Sequence, residues 1–126
     1  MEGLNNIELE LPNHYDLIFS DAGGNNERSA FIFDNQKIDR LQLVAEISIP
    51  PKDYKHIKLN GVKKITGFDR NPYLCSFQWK NHKLIFITVH SFFGSEKKAD
   101  VERRSLEAFA IARYVDLHKN SKTTFL

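Results

Sequence analysis

The stretch that decides the fold is residues 73–89, YLCSFQWKNHKLIFITV. In its first half, apolar side chains alternate along one face of an extended strand. They are Tyr73, Cys75, Phe77 and Trp79. In its second half, residues 84–89 are apolar on both faces, and the short polar link between the halves favours an antiparallel hairpin. These two strands are therefore predicted to lie side by side at the centre of a sheet.

Three further strands are predicted upstream of this hairpin. Residues 16–20 are a short apolar run, and residues 28–33 are rich in side chains that favour strands. Polar turn residues follow at 34–37, so a hairpin is predicted between residues 28–33 and the next strand, residues 41–49. This last strand alternates, and its predicted apolar face consists of Leu41, Leu43, Ala45, Ile47 and Ile49.

After Gly94 the apolar period changes from that of a strand to that of a helix. Four apolar residues follow at spacings i, i+3, i+4 and i+7, which predicts a helix from about residue 100 to residue 117. They are Ala108, Ile111, Ala112 and Val115. Asp100 or Ser95 is predicted to cap the helix, and its charged residues, Glu107 among them, are predicted to form a solvated face. The chain from residue 118 onward is polar and predicts no strong element.

Length and composition predict one domain, spanning residues 1–126, with enough apolar residues (41%) to form a core. The predicted fold class is α+β, with a mostly antiparallel β-sheet and one long C-terminal helix. Eighteen Lys and Arg against sixteen Asp and Glu give a net charge of only +2, which does not indicate a dedicated nucleic-acid binder. Five lysines lie within residues 52–66, which are interpreted as a solvated loop; contact with a nucleic-acid backbone is the alternative.

The single cysteine, Cys75, excludes an intrachain disulfide and a cysteine-based zinc site, and it favours a reducing compartment. No apolar stretch approaches the roughly 20 residues of a membrane span. The polar start Met1-Glu2-Gly3 is unlike a signal peptide. A cytoplasmic protein with no membrane partner is therefore expected.

Three polar residues at the ends of predicted strands form the candidate site: Glu27, Arg70 and His90. An arginine offers a planar fork of donors to a phosphate, and a carboxylate can fix the tautomer and charge of an imidazole. Each residue also has a structural interpretation. His90 can bond the backbone, Glu27 can lie in solvent, and Arg70 can cap the turn before Pro72. Phe92 and Phe93 are interpreted either as an exposed recognition lip or as core residues.

In the order of its segments, the chain from Asp16 to Ala112 resembles the endonuclease/exonuclease/phosphatase superfamily, the deoxyribonuclease I-like phosphoesterases. Three short motifs carry the resemblance: Glu27-Arg28 at the start of a strand, residues 67–72 (GFDRNP) and residues 88–91 (TVHS). Weaker support comes from the predicted helix, at Arg103, Arg104, Glu107 and Ala108.

The resemblance implies a metal-dependent phosphodiesterase or phosphomonoesterase that acts on DNA, RNA or phosphorylated small molecules. It implies a four-layer sandwich in which two packed β-sheets are flanked by helices. It assigns His90 to the scissile phosphate and Glu27 to the carboxylate that orients His90, so these two are the candidate catalytic residues. It assigns Arg70 to contact with the phosphate of the substrate.

The chain also departs from the family pattern. The family's first strand, which ends in Asn and is followed by a metal-binding Glu, has no counterpart before Asp16. Its Gly-Asp-x-Asn strand and its terminal Asp-His pair are missing as well. The expectation is therefore a central fragment of a phosphoesterase, inactive alone, with Mg²⁺ needed by the complete domain and no metal ligand predicted here. The alternative is a non-catalytic remnant that binds a phosphate-bearing ligand or another polypeptide, including a second copy through its open sheet.

Overall fold

A computed structural model describes residues 10–21, 28–54 and 67–126 of the protein. The strands and helices of these ranges are β1 (Tyr15–Phe19), β2 (Ala30–Asp34), β3 (Asp39–Glu46), α1 (Pro51–Tyr54), β4 (Tyr73–Trp79), β5 (His82–Thr88), α2 (Lys98–His118) and β6 (Thr123–Phe125). The predicted α+β class is confirmed, with a mostly antiparallel sheet and one long C-terminal helix.

The predicted hairpin at residues 73–89 is present and forms the centre of a four-stranded sheet. Strands β4 and β5 are antiparallel, with Tyr73 opposite Thr88 and Trp79 opposite His82. The chain reverses over two residues, the first of which, Lys80, adopts a left-handed φ of 53°. From Tyr73 to Phe77 every residue of β4 is buried, because both faces of the sheet are covered.

The outer strands of this sheet are β3 beside β4 and β6 beside β5. Strand β3 is antiparallel to β4, whereas β6 is parallel to β5 and is reached through α2. The prediction that residues 28–33 and 41–49 form a hairpin is wrong. Strand β2 instead pairs with β1 in a separate two-stranded sheet. The turn after Asp34 forms, but it carries the chain from one sheet to the other.

The apolar face predicted for β3 is also partly wrong. The pairing register of β3 with β4 shifts by two residues between Arg40, opposite Phe77, and Val44, opposite Cys75, so the residues of β3 still alternate between the two faces. Because both faces of the sheet are covered, Val44, predicted outside the apolar face, packs in the core, while Leu43, predicted on that face, is 38% exposed. Ala45 and Ile47 lie on the opposite face of the sheet from Val44.

Two apolar clusters cover the two faces of the four-stranded sheet. The first lies under the β1–β2 hairpin and is built on Phe33, Cys75 and Phe77. Phe33 and Phe77 meet edge to face with ring centres 5.0 Å apart. The second cluster, built on Ile47, Leu74 and Ile85, lies under α2. The described residues therefore form three layers: hairpin, sheet and helix. Burial raises the pKa of the Cys75 thiol to about 11, so this cysteine is an inert core residue.

Helix α2 matches the predicted segment in length but not in its buried face. Ala108 and Ala112, predicted to face the core, are exposed, whereas Glu107, predicted to be solvated, is 1% exposed. Beyond the helix, the polar end of the chain forms β6, which was not predicted. There the Leu126 N–H donates to the Ile85 carbonyl at 2.9 Å. Within the described ranges, no helix combines the length and the apolar character needed to cross a membrane.

Replacing a central side chain should show that stability depends on the second cluster. We expect Leu74→Ala to lower the free energy of unfolding by about 2–5 kcal/mol, because Leu74 is 1% exposed and its loss leaves a cavity. Leu43→Ala is the matched control and should cost less than about 1 kcal/mol. Urea denaturation of both variants measures the difference; equal losses would contradict the described packing.

Candidate functional site

The structure brings two of the three predicted site residues together at one end of the four-stranded sheet. Arg70 lies three residues before β4, and His90 lies two residues after β5. Because Tyr73 is paired with Thr88 in this antiparallel hairpin, the segment entering β4 and the segment leaving β5 emerge at the same edge. The contact between Arg70 and His90 thus follows from the register of the hairpin.

The contact itself joins the Arg70 guanidinium to the His90 ring. Nη1 of Arg70 lies 2.8 Å from Nε2 of His90 and also contacts Nδ1. A guanidinium can only donate hydrogen bonds. The ring nitrogen that accepts this hydrogen bond therefore carries no proton of its own. Arg70 is half-buried and His90 is exposed. The pair therefore presents a positive charge and an imidazole at an accessible surface. Glu27, predicted to orient His90, lies outside the described residues, so its role stays a prediction.

A buried carboxylate on α2 holds both segments of the site. Glu107 accepts one hydrogen bond from the Asp69 N–H at Oε1 and another from the Phe92 N–H at Oε2, each 2.9 Å long. Asp69 immediately precedes Arg70, and Phe92 comes two residues after His90. The helix thereby fixes the backbone on either side of the Arg70–His90 contact. No hydropathy pattern marks Glu107 for this role; the only signal is its place among the weaker pieces of the family resemblance.

Arg103, one helical turn before Glu107, compensates the buried charge. Its Nε lies 3.7 Å from Oε1 of Glu107, and its Cζ lies 4.8 Å from the centre of the Phe92 ring. The side chain of Arg103 is only 16% exposed. The guanidinium therefore links the buried carboxylate to the aromatic ring behind the site.

A second acid, Glu46, reaches the same edge at the end of β3. Its Oε2 accepts a hydrogen bond from Nδ2 of Asn71 at 3.2 Å. The backbone continues this connection, because the Ile47 N–H donates to the Pro72 carbonyl at 2.8 Å. Glu46 falls inside the strand predicted at residues 41–49, so no signal in the sequence indicates that it lies near the site.

The segment after His90 is held by hydrogen bonds to the first turn of α2. One carboxylate oxygen of Asp100 accepts from the Ser95 N–H at 2.7 Å and from the Ser95 hydroxyl at 2.6 Å. The hydroxyl contact is the main reason that the pKa of Asp100 lies below its ordinary value. Thus Ser95 and Asp100, the two predicted caps, bond to each other. Lys97 occupies the cap position without a side-chain hydrogen bond.

In residues 10–21, 28–54 and 67–126, no group of three or more His, Cys, Asp or Glu side chains could hold a metal ion. Mg²⁺ requires hard oxygen ligands in near-octahedral geometry. At the candidate site, both oxygens of the buried Glu107 carboxylate already accept backbone N–H groups.

Comparison with known proteins identifies no family for this chain. No protein-family model matches the chain, and no curated protein matches it. The class of the protein must therefore be inferred from the residues and contacts of the site.

Replacing Glu107 should loosen both segments at once. We expect Glu107→Gln to lower the free energy of unfolding by about 2–3 kcal/mol, because the amide NH₂ would face the N–H of either Asp69 or Phe92. The control Glu102→Gln changes a residue paired with Lys98 at 3.8 Å and should cost less than about 1 kcal/mol. Denaturant titration gives both values, and two equal values would refute the bridging role of Glu107.

Removing the Ser95 hydroxyl should change the titration of Asp100. We expect Ser95→Ala to raise the pKa of Asp100 toward its ordinary value, because the largest influence that favours the carboxylate is lost. The carboxyl ¹³C shift followed by NMR between pH 2 and pH 6 (roughly the carboxyl range) measures this. Ser105→Ala, on the exposed surface of α2, is the control. An unchanged pKa in Ser95→Ala would show that the contact does not form.

Proposed function

We propose that Arg70 and His90 form the phosphate-contacting part of a phosphoesterase centre of the endonuclease/exonuclease/phosphatase type. The observation that carries the proposal is the contact between these two side chains. They come from separate segments and meet at an accessible end of the sheet. Under this proposal, the three described layers are part of a deoxyribonuclease I-like four-layer sandwich, and the chain is its central fragment.

Each residue has a distinct role in this proposal. The Arg70 guanidinium holds a non-bridging phosphate oxygen through charge-assisted hydrogen bonds. His90 contacts the scissile group. The ring nitrogen that does not accept from Arg70 can donate a hydrogen bond to the phosphate and stabilise charge that develops in the transition state. Glu27 sets the orientation and charge of that ring.

Hydrolysis in the complete domain would need a divalent metal such as Mg²⁺, which supplies an activated water when bound. The described residues contain no group of three or more His, Cys, Asp or Glu side chains that could hold that ion. We expect the chain by itself to bind phosphate esters without hydrolysing them, because the metal-binding Glu and the Gly-Asp-x-Asn segment of the family pattern have no counterpart in this sequence. The parent substrate would be DNA, RNA or a phosphorylated small molecule. A cytoplasmic location is part of the proposal and is supported by the free, buried thiol of Cys75.

The alternative function, a non-catalytic remnant of the fold, uses the same Arg70–His90 contact for binding alone. The genomic sequence on either side of the coding region distinguishes the two. A downstream Gly-Asp-x-Asn segment together with an upstream strand that ends in Asn and is followed by an acidic residue would identify an enzyme. Their absence would favour the remnant.

The binding role can be tested with inorganic phosphate and a chromogenic phosphodiester. We expect Arg70→Ala to weaken phosphate binding about tenfold or more, because charge-assisted hydrogen bonds are lost, and His90→Ala to weaken it as well. The matched controls are Arg113→Ala, on α2 beside Asp53, and His82→Ala, at the opposite end of β5. NMR titration measures affinity, and absorbance measures turnover with Mg²⁺, with Mn²⁺ and with a chelator.

Two outcomes would contradict the proposal in different ways. If the control variants weaken phosphate binding as much as Arg70→Ala does, the candidate site is wrong. If the purified chain shows metal-dependent turnover that is lost in His90→Ala, the site is right but the description as an inactive fragment is wrong.

A further inference from the structure

The aromatic ring of Phe93, close in sequence to the candidate site, is exposed to solvent. Phe93 is 71% exposed and follows His90 by three residues. Its neighbour Phe92 is half-buried, with its N–H bonded to Glu107 and its ring beside Arg103. The two phenylalanines, which the sequence left as either lip or core, therefore have different surroundings.

Hydrogen bonds hold the backbone segment that carries the exposed Phe93 side chain. Nη1 of Arg104 donates to the Phe93 carbonyl and, at 2.9 Å, to the Ser95 carbonyl. Between them, Gly94 has a φ of +59°. A Cβ at this glycine would lie 2.6 Å from both Asp100 Cγ and Phe92 Cε1, so the tight turn requires glycine. The backbone around Phe93 is thus fixed on both sides while its side chain is left outside the core.

A cation lies beside the exposed ring. The Cζ of Arg104 is 5.2 Å from the centre of the Phe93 ring. Aromatic rings and guanidinium groups are the surfaces on which planar aromatic ligands stack. A polyol or an acyl chain has no planar π face to stack on the ring and the guanidinium.

The ring is also within reach of a ligand held at the site. Three residues of chain span at most roughly 11 Å between the Cα atoms of His90 and Phe93. A nucleoside monophosphate covers a comparable length between its phosphate and its base. The separation of the two Cα atoms is therefore within the length of one small ester whose phosphate lies on Arg70 and His90.

We propose that Phe93 is a stacking platform that selects phosphate esters carrying a planar aromatic group, such as a nucleobase or an aryl ring. This inference rests on the proposed phosphate-binding function of Arg70 and His90. It narrows the ligand class of that site and excludes polyol phosphates and phospholipids as preferred ligands.

The test compares pairs of esters that differ only in the aromatic group. Adenosine 5′-phosphate is paired with ribose 5-phosphate, and phenyl phosphate with cyclohexyl phosphate; dissociation constants come from NMR titration of the full chain. We expect each aromatic ester to bind about tenfold more tightly than its partner, as is typical of one stacking contact. Phe93→Ala should abolish that difference and leave ribose 5-phosphate binding unchanged. Phe93→Trp should retain it.

Phe109→Ala is the matched control, because Phe109 is 64% exposed on α2. It should leave the difference between paired esters intact. Should the wild-type protein bind paired esters equally, or should the preference survive in Phe93→Ala, the stacking inference is wrong. The phosphate site would still stand if Arg70→Ala weakens all four esters. Absence of binding by all four would overturn both proposals.

The two aromatic pairs also identify the source of the ring. Preference within the nucleotide pair alone indicates a nucleobase, whereas preference within both pairs indicates any aryl ester. A separate arm measures sedimentation of the chain with vesicles of phosphatidylcholine and phosphatidylserine. Association that is lost in Phe93→Ala, without an aromatic preference in the ester pairs, would make Phe93 a membrane contact and overturn the stacking inference.

Discussion

The arrangement of this protein depends on one buried carboxylate. Glu107 is almost inaccessible, and burying a charge is costly unless hydrogen bonds and an opposite charge compensate it. Two backbone N–H groups and the Arg103 guanidinium do so here. Since these N–H groups belong to the segments that enter β4 and leave β5, the same contact attaches α2 to the sheet and positions the candidate site.

The second constraint is the register in which the strands of the sheet pair. Antiparallel pairing of β4 and β5 brings their flanking segments to one edge, and β3 adds Glu46, which accepts a hydrogen bond from Asn71 there. Both faces of the sheet are covered, one by the β1–β2 hairpin and one by α2. The end of the sheet is thus a place where polar side chains remain accessible on segments whose backbone is held by hydrogen bonds, an arrangement that suits the proposed binding of a phosphate ester.

Local patterns in the sequence predicted the elements whose formation depends on neighbouring residues. The alternation of residues 73–79 and the apolar run of residues 84–89 sufficed for the central hairpin, and the helical period sufficed for α2. Strand ends pointed to Arg70 and His90. The wrong or missing predictions concern tertiary contacts. They are the strand that pairs with β2, the residue of β3 that packs in the core, the face of α2 that is buried, and the formation of β6. In each case a contact distant in sequence outweighed the local pattern, as when Thr-Thr-Phe is made a strand by hydrogen bonds to β5.

The sequence by itself therefore determined the α+β class, the central hairpin and the long helix, and it indicated Arg70 and His90 as candidate site residues, because side-chain periodicity and turn composition act over a few residues. Only the tertiary structure decided that Glu107 is buried, that Phe93 is exposed, and that Arg70 touches His90. Glu107 and Asp69 are 38 residues apart, and no periodicity reports a bond across that separation. The physical reason is that desolvation of a charge depends on which groups surround it, and those groups are assembled only when the sheet and helix pack.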